Sequence, residues 1–193
     1  DDFTEPGGGW ADKLEFGNYY IGYHEPENYH MEVHTSHERA GAHVHRQTFN
    51  KVTFAVQAFI DPNNTAQVGD FRNGLVFRRT GEQYYAFAVS PLPKPWYVLK
   101  RTPSGLTELK KGSSDAIQGL TATDTLRVDA QGSNFLFHRN DKLISQVSDA
   151  SYPSGEIGFY VETNDATNAH IHFDDFTIRE LTLDLTCNIQ GGT

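Results

Sequence analysis

The stretch IGFYVETNDATNAHIHFDDFTI, residues 157–178, leaves few folds open. Ile157, Phe159 and Val161 alternate with Gly158, Tyr160 and Glu162, the period of two that marks a strand with one buried face. After a polar turn, Ile171 and Phe173 alternate with His170 and His172. Adjacent acids, Asp174 and Asp175, then interrupt the pattern before Phe176 and Ile178 resume it. A helix would need apolar residues three and four apart, so this region reads as two strands, the second broken by an acid pair.

The same signal recurs along the chain. YYIGYH and NYHMEVHTS read as short strands, with Met31 and Val33 inward and His30, Glu32 and His34 outward. Val52, Phe54, Val56 and Ala58 face one way while Lys51, Thr53, Ala55 and Gln57 face the other. Further strands are expected at GLVFRRT, QYYAFAVS, WYVLKRT, TDTLRVDAQG, SNFLFHRN and KLISQVSD. DPNN, PLPKP, QGSN and RND lie among the turns that separate strands. Gly7, Gly8 and Gly9 keep the first 18 residues from forming a helix or long strand, and Trp10 is expected to anchor a sandwich edge. Only AIQGL at 116–120 supports even one helical turn. The reading is all-β: a two-sheet antiparallel sandwich or jelly roll with no internal repeat.

Alternation also sorts the faces. Leu75, Phe77, Tyr85, Phe87, Val89, Tyr97, Leu99, Phe135, Phe137, Ile157, Phe159 and Val161 are expected inside. Arg78, Tyr84, Trp96, Lys100, His138, Tyr160 and Glu162 are then expected outside, on one aromatic and charged face.

A chain of 193 residues suits one domain, and a net charge of -9 with only short basic clusters argues against nucleic acid. No apolar run approaches the ~18 residues of a membrane span. One cysteine, Cys187, allows no internal disulfide and no Cys-His zinc framework. The first residue is Asp rather than Met. With the many Thr, Ser, Asn and Gly residues, this suggests an exported product, extracellular or at the cell surface, whose signal has been removed.

DDF with Gly9 and Trp10 at the front, GLVFRRTGEQYYAFAVS in the middle and IGFYVET...HIHFDDFTI at the end together resemble the concanavalin A-like jelly rolls of the laminin-G and glucanase superfamily. That grouping includes bacterial extracellular domains near 3-keto-disaccharide hydrolases and carbohydrate-binding modules. The resemblance covers residues 1–178. It implies a two-sheet sandwich whose first and last strands pair, often with a structural calcium ion near the seam. The acids matching that position are Asp2, Asp174 and Asp175. Calcium needs six to eight oxygens, which an acid pair in a broken strand can help to supply; the same pair can instead form a bulge and hold local amides.

Glycan-cleaving relatives use two glutamates, roughly 5 Å apart in retaining enzymes. Here the outer face offers Glu162 with no evident carboxylate partner, and the ExDxxE pattern of the glucanase branch is absent. Binding without catalysis asks only for aromatics and planar polar groups, which Arg78, Tyr84, Trp96, Lys100, His138, Tyr160 and Glu162 supply. The same face could equally be a packing surface. The histidines form pairs: His34 with His37, His43 with His45, His170 with His172. Adjacency of the strands bearing the last two pairs would converge four imidazoles on a zinc or copper ion. NNT at 63–65 is a glycosylation sequon in a predicted turn.

Beyond residue 178, Leu181, Leu183 and Leu185 alternate with Thr182, Asp184 and Thr186. Residues 179–193 thus read as an extra strand or tail, which extends its own sheet or docks on a partner subunit. The expected function is a non-catalytic, calcium-stabilised glycan- or polysaccharide-binding module. The alternatives are a filament subunit self-associating through residues 179–193, and a glycoside hydrolase.

Overall fold

The computed structural model describes residues 1–24, 28–43, 47–60, 70–90, 95–114 and 123–181. In chain order the strands are β1 (Lys13–Phe16), β2 (Tyr19–His24), β3 (Asn28–Val33), β4 (Arg39–His43), β5 (Lys51–Ile60), β6 (Phe71–Thr80) and β7 (Gln83–Val89). There follow β8 (Pro95–Thr102), β9 (Gly105–Ser113), β10 (Asp124–Gln131), β11 (Asn134–Arg139), β12 (Lys142–Ser148), β13 (Glu156–Thr163) and β14 (Ala169–Glu180). No helix occurs among the described residues. The eight-stranded sheet runs β1-β2-β3-β14-β5-β10-β11-β12 and the six-stranded sheet β4-β13-β6-β7-β8-β9, all pairs antiparallel. The all-β jelly-roll sandwich expected from the alternation is the fold observed.

Period two fills the space between the sheets. Val52, Phe54, Val56 and Ala58 of β5 meet Leu75, Phe87, Phe137 and Phe159 in one continuous core. At one end Phe159 is sandwiched between two rings, Trp10 at 4.3 Å and 8° and Phe173 at 4.3 Å and 4°. Phe176 meets Phe159 edge-on, and Phe3 packs against Trp10. The first residues are held there by backbone pairing: Asp1 N donates to the Phe176 carbonyl at 2.7 Å, and Phe176 N donates to the Asp1 carbonyl at 2.8 Å. Trp10 is therefore the anchor that its place in the sequence suggested.

Turn chemistry fixes register where the chain reverses. Asn140 and Asp141, between β11 and β12, have φ of 47° and 62°, the pair of positive values that a type I′ turn requires. Gly132, between β10 and β11, has φ 54°. Beneath the Asn140 turn, Arg139 and Asp124 form an ion pair inside the protein, with side chains 1% and 9% exposed.

Inward and outward assignments are corrected on two strands, β8 and β6. On β8, Trp96 stands opposite Val89 and Val98 opposite Phe87, so Trp96 and Val98 face the main core; Tyr97 and Leu99, opposite Ala88 and Ala86, face outward. Directly paired residues share a face, and WYVLK is apolar in both phases, so its alternation alone points either way. The indole of Trp96 lies across Gly112 of β9, where a Cβ would come within 2.5 Å of the ring. Lys100, in phase with Trp96, turns under the sandwich end and donates to Asp149 at 2.8 Å and Ser151 at 2.5 Å.

The other correction is Arg78. It sits at a bulge in β6 with φ 55°, where the pairing to β7 slips by one residue. The bulge re-aims a side chain, as such insertions do. Arg78 is 1% exposed and donates to the carbonyls of Asn50 at 2.6 Å and Gly132 at 3.3 Å, leaving Arg79 on the outer face.

Burial alone would raise Asp149, but donors from Lys100, Ser151 and Tyr85 outweigh it and hold the carboxyl well below the usual range. Because the folded value is depressed, the stabilisation is present above the unfolded carboxylate value of about 3.9 and is lost as pH falls below it. Asp149→Asn is therefore expected to flatten the acid limb of a stability-against-pH curve below about pH 4, relative to the parent protein. An unchanged limb in chemical denaturation would remove Asp149 from that role.

The acid pair in β14 forms a bulge. Asp175 has φ 50°, its amide donates to Asp174 Oδ1 at 2.7 Å, and the pairing to β5 shifts between Asp174 and Thr177. Gln57 donates to Asp175 Oδ2 at 2.6 Å, while Asp2 Oδ1 accepts from Thr4 Oγ1 at 3.1 Å. Burial, with the charges of Asp175 and Asp2 nearby, raises the Asp174 carboxyl above its ordinary value. β14 itself runs past residue 178, pairing Arg179 with Thr53 and Glu180 with Val52. Residues 182–193, with Cys187, lie outside the described residues, as do the NNT sequon and AIQGL.

Candidate functional site

The outer face of the six-stranded sheet carries a row of charge placed by strand register. Glu162 of β13 stands directly opposite Arg39 of β4 on one side and Arg72 of β6 on the other. Cross-strand partners at such positions have side chains within reach of one another. Arg39 Nε donates to Glu162 Oε1 at 3.3 Å; Tyr160 Oη donates to Oε2 at 2.7 Å, and an Arg72 guanidinium nitrogen lies 3.5 Å from the same oxygen. A second Arg39 nitrogen donates to Tyr84 Oη at 3.3 Å. Arg72 also lies over the Tyr97 ring at 4.2 Å, a cation–π contact.

This network opens into a depression of about 390 Å³, lined by Arg39, Arg79, Arg101, Tyr84, Tyr160 and Glu38 among others. Glu156 fixes Arg79 at 2.7 Å. Arg101 Nε is buried with no hydrogen-bond partner. Burial works against the Arg39 charge, but Tyr84, Tyr160 and Glu162 outweigh it and raise the guanidinium above its ordinary value. Burial and the nearby Glu162 carboxylate push the Tyr160 phenol well above its usual value, so its hydroxyl stays a donor. The face thus offers fixed planar donors and two phenols at the mouth of a hollow. Such groups bind hydroxyl- or carboxylate-bearing ligands.

Of the residues expected on this face, the fold brings Tyr84, Tyr160 and Glu162 together. Arg78, Trp96 and Lys100 turn inward for the reasons given above. His138 lies on the other sheet, on β11, with its Nδ1 3.5 Å from Asp129. Tyr84 and Tyr160 are 8% and 1% exposed, so they line a packed floor rather than stand as open stacking platforms. Arg39, Arg72, Arg79, Arg101 and Tyr97 complete the site and were missed. Their signal is the register that sets Arg39 and Arg72 against Glu162, and the bulge that turns Arg79 outward.

Two antiparallel sheets packed face to face, with a polar hollow on the outer face of the smaller one, make an all-β jelly-roll sandwich. Solved structures bear this out for the fold. The carbohydrate binding module CBM66 from Bacillus subtilis superposes with a TM-score of 0.66 at 14% identity, over 89% of this chain and 96% of that one. A GH16 protein of the mixed linkage glucan locus of Bacteroides ovatus, solved with a product, gives 0.62 at 7% identity, over 93% and 98%. A Bacillus subtilis protein of unknown function with a galectin-like fold gives 0.61 at 11% identity, over 89% of both chains. No family profile and no curated protein matches the sequence itself.

Proposed function

We propose that this protein is a non-catalytic glycan-binding module, acting outside the cell, whose ligand enters the hollow above Arg39, Tyr84, Tyr160 and Arg101. The observation that carries this reading is the double clamp on Glu162. Its carboxylate holds Arg39 and Tyr160 in fixed positions at the hollow, and such preorganisation lowers the ordering cost of binding. The architecture supports the same class, since carbohydrate-binding modules and glycan-cleaving proteins share this sandwich.

The Glu162 and Glu38 carboxylates favour binding over cleavage, each being held by hydrogen bonds at a hollow that Glu82 also lines. A retaining glycosidase sets an acid and a nucleophile roughly 5 Å apart across the scissile bond. Here Glu162 has both oxygens engaged by Arg39, Tyr160 and Arg72. Glu38 is likewise committed, accepting from Asn18 at 2.8 Å and from the Arg39 amide at 3.0 Å.

The test is a glycan array followed by calorimetry on the polysaccharides retained. Arg39→Ala and Arg101→Ala are each expected to weaken binding about tenfold or more, which is about 1.4 kcal/mol, without hydrolysis of the ligand. Absence of any glycan bound, or affinity unchanged in both variants, would overturn the site. Release of reducing sugar that disappears in Glu162→Gln would replace binding with catalysis.

A further inference from the structure

The outer face of the eight-stranded sheet, on the far side of the sandwich from the glycan hollow, gathers imidazoles. His30 of β3 stands directly opposite His172 of β14, and His170 projects from the same face of β14 two residues earlier. One ring nitrogen from each of His30, His170 and His172 lies within 4.8 Å of the others, the one such cluster of three among the described residues. His170 Nε2 is 2.9 Å from His30 Nδ1. The other nitrogen of His30, Nε2, is buried with no hydrogen-bond partner, in a residue only 1% exposed. A buried, unsatisfied ring nitrogen is costly to keep and calls for an explanation.

The four-imidazole convergence expected from His43, His45, His170 and His172 is not this one. β4, which carries His43, belongs to the six-stranded sheet, and His45 lies outside the described residues. His30 takes their place because β3, not β4, is the neighbour of β14.

The structure assigns, we infer, a binding site for one divalent transition-metal ion of the zinc or copper class to His30, His170 and His172. Imidazole nitrogen suits these ions, and three protein ligands leave a fourth position for water or a ligand atom. Nitrogens bound to a tetrahedral zinc at 2.0–2.1 Å stand roughly 3.4 Å apart, so the cluster needs only small side-chain rotations to close on an ion. Its surroundings are those of a supported site. Glu32 Oε1 lies 3.5 Å from His170 Nε2, the nitrogen that faces His30, so a carboxylate oxygen stands at the edge of the cluster as a further candidate ligand. Phe59 stacks on His172 at 4.9 Å, and His24 stacks on His30 at 4.4 Å. The rings stand on neighbouring strands of one sheet, so their spacing is set by the backbone.

The full chain, freed of any affinity tag, should be titrated with zinc chloride and with copper sulfate. One equivalent is expected to bind at micromolar affinity or tighter, to raise the melting temperature, and with copper to show nitrogen hyperfine structure in the electron paramagnetic resonance spectrum. His170→Gln, on the half-buried ligand, and His172→Gln are each expected to weaken binding at least tenfold. His34→Gln with His37→Gln should leave it intact, and excess calcium should not compete. If His172→Gln fails to fold, His170→Gln and the spectrum decide. Binding that survives His170→Gln unchanged, a spectrum without nitrogen ligands, or no binding by the parent protein would overturn the assignment.

Discussion

Phe159→Ala is expected to cost about 3–5 kcal/mol of folding stability, the range for truncating a buried aromatic. The residue is wholly buried, with Trp10 flat on one side of its ring and Phe173 flat on the other. Neither neighbour can readily close the gap. Trp10 is also in contact with Phe3 and Tyr29, while Phe173 is fixed by the pairing of β14 with β3 and β5. The cavity term should therefore stay near its upper limit. Urea denaturation measures it, with Phe16→Ala as the control. Phe16 is 54% exposed on edge strand β1, and its loss should stay within about 0.5 kcal/mol. Equal losses at both positions would mean that the ring stack does not organise this end of the core.

Asp124→Ala should be comparably damaging, by about 3–5 kcal/mol, for an electrostatic reason. Its carboxylate receives Arg139 Nε at 2.7 Å and Asn140 Nδ2 at 3.0 Å, and pairs with a second guanidinium nitrogen. Removing it strands a cation that is 1% exposed. The double variant Asp124→Ala with Arg139→Met should recover most of the loss, because the penalty lies in the unpaired charge rather than in the absence of the pair. A double-mutant cycle by chemical denaturation reads this directly. If the double variant is as unstable as Asp124→Ala alone, the ion pair itself contributes the stability and the desolvation argument fails.

The strands that were legible have one large apolar face. β5, β7 and β13 read from alternation alone because each sets Val, Phe or Ile against polar or small residues. β9 was not legible. GLTELKKGS lies at a sheet edge with few of its side chains covered, so no alternation is imposed on it. β4 was legible only at its end, where His43 was placed on a strand: its inward residues, Ala40 and Ala42, are too small to mark a face. That omission removed Arg39 from view and with it half of the clamp on Glu162. Arg39 and Glu162 are 123 residues apart, and only register joins them. Bulges were the other limit. Slips at Arg78 and at Asp174 each shift the phase of a strand, and a strict period of two does not carry across them.

Both sheets receive an interior strand from the same late stretch of sequence. β14 lies between β3 and β5, and β13 between β4 and β6. Until residues 156–180 arrive, the edges of β3, β5, β4 and β6 that these two strands occupy stay unpaired and the core is open. Native contacts must then span most of the sequence, which makes folding slow and leaves those edges open to other chains in the meantime. A nascent chain that stalls before β13 should accumulate as an aggregation-prone precursor, and the commitment step in biogenesis should coincide with emergence of β13 and β14.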